Sequence, residues 1–571
     1  MRFIVILAFS CFYSSLFSQS YSKKITEKLL EAKKCDVLIE LKSKADLSFV
    51  GNNLTKKEKA EMVYSLLRNN AEMSQVRLVN YLQVNNINFQ SFIIVNAIHA
   101  TIDQKALNDL LSFQEIKFIY YDETLKLLPV TDNTFNTLQA RGPMLTWGIE
   151  RIEADKVWSQ GYEGQGVTIA GEDTGYNWEV EGIKNKYRGY NTTNQTVDHN
   201  YNWHDAIHKA SPLSADSINP CGYSIRTPCD DHGHGTHTVG TMTGSTEKEI
   251  YGVAPKANWI GCRNMERGNG ALSTYIECFE FFLAPTDLDG LNPKPSLAPS
   301  AINNSWYCSR EEGCDESNFA IMEEVVNNLR TSGIVVVVSA GNSGQVCGNI
   351  SAPPAIFKSS FTVGSFAIND TISSFSSSGP VYNYKDTIIK PDVCAPGSDV
   401  LSRTHTGELA AWSGTSMAGP HVAGLVALII NANPELDGNV SKIEEIIKLS
   451  SRPADANIDC IGSTLSARPN HVYGYGKILA PEAIRLAIIT KTSNSKQSIN
   501  KFIIQPNPVV NSLRIINLNN DSYTYSLRQI SGKVIFNQLK SSQTLDMSSL
   551  NSGVYILQCN QTGQNEKFVK F

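Results

Sequence analysis

Apolar spacing changes character three times along the chain. Residues 36–42, DVLIELK, alternate like a half-buried strand, and 56–82 carry the spacing of one long helix. Residues 89–103, FQSFIIVNAIHATID, read as a strand, 104–113 as a helix and 116–122, IKFIYYD, as another strand. The order β-α-β-α-β predicts a compact α+β block over 21–140.

From about 147 to 490 the pattern becomes α/β. VTIA (167–170) runs into the turn GEDTG, and Ile334 to Val338 are five β-branched residues in a row. An unbroken run of that kind suits a strand covered on both faces. Such strands alternate with helical stretches, which predicts a doubly wound parallel sheet. Ligands of these sheets bind at the carboxyl ends of strands, and Asp173 and Asn342 both fall there. Val422 to Ile430 are apolar on nearly every side, as in a buried helix. From 494 the chain turns to Ser, Asn and Gln with short alternating segments, which predicts a small all-β sandwich over 494–571.

A chain of 571 residues exceeds a single core. Its first twenty residues place Arg2 before an apolar stretch and then small polar residues, the pattern of a signal peptide over 1–20. Export makes the twelve cysteines candidates for disulfides. Nine of them lie between Cys221 and Cys460, so at least one there is unpaired or pairs elsewhere. The close pairs Cys221/Cys229 and Cys308/Cys314 suit loop staples. A net charge of −5 gives no footprint for nucleic acid or a membrane surface. No later run of eighteen apolar residues predicts a transmembrane anchor.

Candidate chemistry gathers at four places. Ser416, in GTSMAGPHVAG (414–424), stands at the mouth of the buried helix. It suits a helix cap, or a nucleophile beside backbone N–H groups that can hold an oxyanion. DDHGHGTHTVG (230–240) offers His234 as a base, while His237 suits a satisfied core histidine. Asp173 suits a turn, or the acid that orients such a base. His232, His234 and His237 also have metal-ligand spacing. A metallohydrolase would leave GTSMAGP and SAGNSG unexplained, so no metal is assigned to the site. DLDG (287–290) suits a solvated turn or oxygen ligands.

GEDTGY, HGTHTVG and GTSMAGPHVAG, in that order, together resemble the subtilisin-like serine peptidases. The resemblance runs over about 147–490, from WGIERIEADKVW through HVYGYGKILAPEAI, and implies a peptidase domain at 141–490. It implies Ser416 as nucleophile, His234 as general base, Asp173 as orienting acid and Asn342 as oxyanion donor. It places Asn303, Ser305, Trp306, Tyr307 and Gly341 along the substrate cleft. Tyr307 stands where that family usually has glycine, which argues against the usual broad P1 pocket; packing is the other reading of Trp306 and Tyr307. The stretch RNMERGNGALSTYIECFEFFLAPTDLDG with INNSW looks most like the bacillopeptidase F branch.

By the same resemblance no cofactor is required, structural calcium is an option, and the substrates are extracellular proteins or peptides. The first block resembles the family's inhibitory propeptide, which implies a zymogen cut within 125–146. QPNPVVNSL, SGKVIF, MSSLNSGVYILQ and the basic end KFVKF resemble the C-terminal sorting domain of the type IX secretion system. That implies the type IX machinery as a partner and a secreted or surface-attached protein. The reading from another class is a catalytically silent surface-binding protein that retains the fold.

Overall fold

The structure, a computed structural model, describes residues 20–571 except 52, 123, 127–130, 134–143, 215–217, 308–315, 383–386, 459, 461–464, 495–501, 506–508, 518–523, 530–532, 541–543, 561–564 and 571. The signal-peptide reading and the Cys308/Cys314 pair lie outside the described residues. Two compact units divide the chain, Met1–Ile488 and Ile489–Phe571.

At the centre of the first unit is a seven-stranded, wholly parallel sheet. Its spatial order is Trp203–Asp205, Asn258–Arg263, Thr168–Asp173, Ala301–Asn304, Val335–Ser339, Phe361–Phe366, Val393–Pro396. The strand Thr168–Asp173 comes first in sequence yet sits third in space. Its carboxyl end is therefore where the winding direction switches, the place such sheets put ligands. Val335–Ser339 is buried at every position because helices cover both faces. One face packs His234–Thr243, Thr415–Ala432 and Val440–Ser450; the other packs Leu272–Leu283 and Glu316–Thr331. Thr415–Ala432 is the one described helix long and apolar enough to cross a membrane, and 94% of it is buried inside the protein, so it is a core helix.

The block before the sheet is a four-stranded antiparallel sheet in the order Phe89–Phe92, Ala97–Asp103, Lys34–Leu41, Ile116–Tyr121. Helices Lys23–Ala32, Val76–Val84 and Gln104–Leu110 close one face of it. Two sequence expectations are corrected here. The stretch 89–103 is two strands, because residues 93–96 turn it back into a hairpin with Phe92 opposite Ala97. The helix expected over 56–82 breaks at Gln75, whose side chain leaves the helix surface to donate to the Phe92 carbonyl and to Asn96.

The open face of this sheet lies on the helices Leu272–Leu283 and Glu316–Thr331. Leu38, Phe92, Ile94 and Tyr120 join one core with Phe279, Phe282 and Val325. Polar contacts frame that interface. Glu280 accepts the Ile94 N–H at 2.8 Å and also that of Ile93. Asn328 donates to the Ile94 carbonyl at 2.7 Å, and Lys56 to the Ala298 carbonyl at 2.6 Å.

Disulfides join Cys221 to Cys229, Cys262 to Cys278 and Cys347 to Cys460. Cys394 is buried and unpaired, so the expected odd cysteine is accounted for.

The second unit is all β after the helix that leads into it. One sheet holds Phe502–Gln505, Ser512–Asn517 and Thr544–Asp546. The other holds Val534–Lys540, Thr524–Gln529, Gly553–Cys559 and Asn565–Lys570. Leu513, Ile515, Tyr525, Leu527, Met547 and Leu557 bury the space between them, as alternating inward positions of a sandwich must.

Candidate active site

Asp173 is the last residue of its strand, and the chain then turns sharply through Gly175. Gly175 takes φ +106°, and a Cβ there would stand 1.9 Å from the Cys229 carbonyl oxygen, so no other residue fits without backbone movement. The turn brings Asp173 against the first residue of the helix His234–Thr243. Asp173 Oδ1 accepts from His234 Nδ1 at 2.7 Å and from its neighbour's backbone, Thr174 N, at 2.7 Å. Both side chains are almost completely buried. His234 Nε2 is buried with no hydrogen-bond partner among the described residues.

Asp230 builds this junction. Its Oδ1 accepts from Thr174 Oγ1 at 2.9 Å, Gly233 N at 2.7 Å and His232 N at 3.0 Å. Its Oδ2 accepts from Thr236 N at 2.9 Å and Thr236 Oγ1 at 2.6 Å. One carboxylate thereby ties the strand end that carries Asp173 to the helix start that carries His234. The sequence reading missed it. An aspartate just ahead of a helix start was the available signal.

The three histidines do not converge on a metal. His237 is parallel to Trp412 at 4.7 Å between ring centres and meets the Ala410 carbonyl through Nε2 at 3.1 Å. Burial pushes it down to about 3, so it stays neutral. Trp412 also lies over His234, at 6.4 Å. Among the described residues no group of three or more His, Cys, Asp or Glu could hold a metal ion. In DLDG, Asp287 Oδ1 accepts the N–H groups of Asp289 and Leu291, and Asp289 pairs with Arg226, so the stretch is a closed turn.

Ser416 sits in the first turn of Thr415–Ala432 and is 5% exposed. Its hydroxyl donates to the Ser305 carbonyl at 3.2 Å, and Ser305 Oγ donates back to the Ser416 carbonyl at 2.8 Å. Asn342 follows the strand Val335–Ser339. Its Oδ1 accepts from Thr415 N and Thr415 Oγ1, both at 2.9 Å. Those bonds fix the amide's direction and leave its NH2 as the donor end, beside the nucleophile candidate's own helix terminus. Gly341 N donates to Thr415 Oγ1 at 3.1 Å, which completes the tie between the two segments.

Of the residues expected in the cleft, Asn303 and Ser305 are buried and bond each other at 2.9 Å, so they shape the floor under Ser416. Trp306 points inward. It stacks on Tyr275 with ring centres 3.8 Å apart and donates through Nε1 to Glu172 at 3.1 Å. Its side chain is packing. Glu172, fully buried beside Asp173 in sequence, is pushed well above the usual carboxylate range by that burial, against the help of the Trp306 bond. Tyr307 is half-buried and faces Gly341.

Two short strands bring the end of the N-terminal block to this site. Thr124–Lys126 pairs antiparallel with Asn269–Ala271, and Thr131–Asn133 pairs antiparallel with Leu409–Ser413, the strand leading into Ser416.

Comparison with known proteins fits this geometry. Residues 164–476 match the Subtilase family, peptidase S8. The chain belongs to that family. Residues 503–571 match the secretion system C-terminal sorting domain. That unit marks this subtilase for secretion and the cell surface. Bacillopeptidase F of Bacillus subtilis is 33% identical over 451 residues, 75% of this chain, although the chain spans only 29% of that relative's length. Subtilisin-like protease 4 of Trichophyton rubrum is 29% identical over 345 residues, 59% of this chain and 70% of the relative. The crystal structure of a serine-to-alanine mutant of the epidermin leader peptide processing serine protease of Staphylococcus aureus superposes with a TM-score of 0.55 at 16% identity. It covers 79% of this subtilase and 99% of its own chain, a likeness of fold.

Proposed function

We propose that this subtilase is a secreted serine endopeptidase made as a zymogen, with extracellular proteins or peptides as substrates. The observation that carries the reading is the 2.7 Å bond from Asp173 to His234 beside a serine at a helix terminus with an amide donor next to it. Asp173 holds the imidazole so that Nδ1 carries the proton and Nε2 is free to accept one. The Ser416 hydroxyl turns from the Ser305 carbonyl to Nε2 and attacks the peptide carbonyl as it loses its proton. The tetrahedral oxyanion is held by Asn342 Nδ2 and the Ser416 N–H. His234 returns the proton to the leaving amine, and water hydrolyses the acyl-enzyme by the same steps.

The N-terminal block is its inhibitory propeptide. What supports this is the buried interface on Leu272–Leu283 and the course of the following chain. The chain enters the cleft along Asn269–Ala271 and leaves it along Leu409–Ser413. The first cut then falls between Lys126 and Thr131, inside the window the sequence suggests. The sorting domain is the part the type IX machinery takes up.

Labelling by a fluorophosphonate tests the active-site assignment. Wild type labels after its N-terminal block is removed, and Ser416→Ala does not. A matured wild type that resists labelling would return the chain to the silent surface-binding reading.

A further inference from the structure

We infer that Tyr307 closes the pocket for the residue on the acyl side of the cut bond, so that this subtilase selects small side chains there. The inference rests on the peptidase reading and adds a specificity to it.

The reacting carbonyl must place its carbon within reach of Ser416 Oγ and its oxygen at Asn342 Nδ2. The side chain of that same residue then enters the gap between two adjacent parallel strand ends. One wall is Ser305–Tyr307, after Ala301–Asn304; the other is Ala340–Asn342, after Val335–Ser339. Trp306 is locked inward by its 3.8 Å stack on Tyr275 and its bond to Glu172. Tyr307 does not share that packing; its ring lies against Gly341 on the opposite wall, in the gap.

Gly341 shows where the ring goes. A Cβ on Gly341 would lie 3.7 Å from Tyr307 Cε1, ordinary van der Waals contact, and 3.1 Å from Ser377 Oγ. The phenol thus covers the one position on the opposite wall that carries no side chain. At φ +104° that position favours glycine, so the wall keeps the flat surface the ring rests on. A glycine at 307 would remove the ring that now rests on Gly341 and open the gap between the two walls. The space that remains beside Asn342 suits alanine, glycine or serine, and a phenylalanine would have to displace the ring.

The test uses matured full-length enzyme and two peptide anilides that differ only at the acyl-side residue, succinyl-Ala-Ala-Pro-Ala and succinyl-Ala-Ala-Pro-Phe p-nitroanilide. Fluorophosphonate titration gives the concentration of working sites in each preparation, so misfolded Tyr307→Gly protein is not counted. Wild type is expected to prefer the alanine substrate by at least tenfold in kcat/KM. In Tyr307→Gly the Phe/Ala ratio should rise at least tenfold, with most of the change in KM. A general packing defect would lower both substrates together and leave the ratio unmoved. A wild type that cleaves the phenylalanine substrate as well as the alanine one overturns the inference. So does a Tyr307→Gly ratio equal to wild type. Labelling without that preference sinks the pocket alone, and absence of labelling sinks the peptidase reading with it.

Discussion

Asp173 and His234 lie 61 residues apart in the chain, and a single 2.7 Å hydrogen bond joins them at the switch point of the sheet. Asp230 ties the strand end to the helix start, Trp412 lies over the imidazole, and Thr415 orients the Asn342 amide.

Asp173→Asn keeps the size of the side chain and removes the charge that, on the proposed mechanism, selects the Nδ1–H tautomer. The fold should survive, with a far-UV spectrum like wild type. Turnover of a peptide substrate should fall by about four decades, the loss known for this exchange in another triad peptidase. Near-wild-type turnover would remove Asp173 from its role.

On the proposed mechanism, Asn342→Ala removes the oxyanion donor, and it also frees Thr415 N and Oγ1 from the Asn342 carbonyl. The expected loss is about 10²–10³ in kcat, or roughly 3–4 kcal/mol, a magnitude taken from the corresponding asparagine of subtilisin. KM should change little, and fluorophosphonate labelling should slow without stopping. A drop confined to KM would contradict the assignment.

Asp230→Ala strands five donors that one buried carboxylate now satisfies. Buried groups left unpaired cost about 1–3 kcal/mol each, and neighbouring ones relax together. A loss of at least about 3 kcal/mol in stability is expected by denaturant unfolding. Labelling of the fraction that remains folded should also slow, because both ends of the Asp173–His234 bond lose their anchor. Unchanged unfolding would show that water replaces the carboxylate.

If the N-terminal block is the inhibitor proposed above, its hold should depend on pH through Glu280. Burial beneath the N-terminal block pushes this carboxyl up to about 7, against the pull of the Ile94 and Ile93 N–H groups; Glu277 adds to the rise and His204 opposes it. A carboxyl raised in the complex binds its proton more tightly there, so acid favours the complex. That contribution is complete below the ordinary glutamate range and is lost as pH rises through about 7. The separated N-terminal block should inhibit Ser416-dependent hydrolysis at least tenfold more tightly at pH 5 than at pH 8, and Glu280→Gln should flatten the profile. Tighter inhibition at pH 8 would reverse the sign.

Much of this was legible in the chain because strong local signals coincide with the chemistry. Ile334 to Val338 form a strand buried on both faces, Val422 to Ile430 a buried helix, and Asp173, His234 and Ser416 stand at the element ends those patterns predict. What escaped depends on partners far away in sequence. Gln75 breaks a helix with neither proline nor glycine, because Phe92 and Asn96 offer its amide better partners. Residues 93–96 turn without a turn motif, because Glu280 and Asn328 satisfy the backbone there. Asp230 carries no local signal beyond standing ahead of a helix, and only the fold brings Thr174 and Thr236 onto it. The inward orientation of Trp306 follows from Tyr275 and Glu172, which no local pattern links to it.

The most direct test of Ser416 as the nucleophile of a self-maturing peptidase is intact mass with N-terminal sequencing of full-length wild type and Ser416→Ala, incubated side by side with casein as a second substrate. Wild type is expected to cut itself between Lys126 and Thr131 and then digest casein, while Ser416→Ala stays whole and inactive. Cutting of Ser416→Ala at the same bond, or a wild type that remains inert to casein even after an added protease removes the N-terminal block, would contradict it.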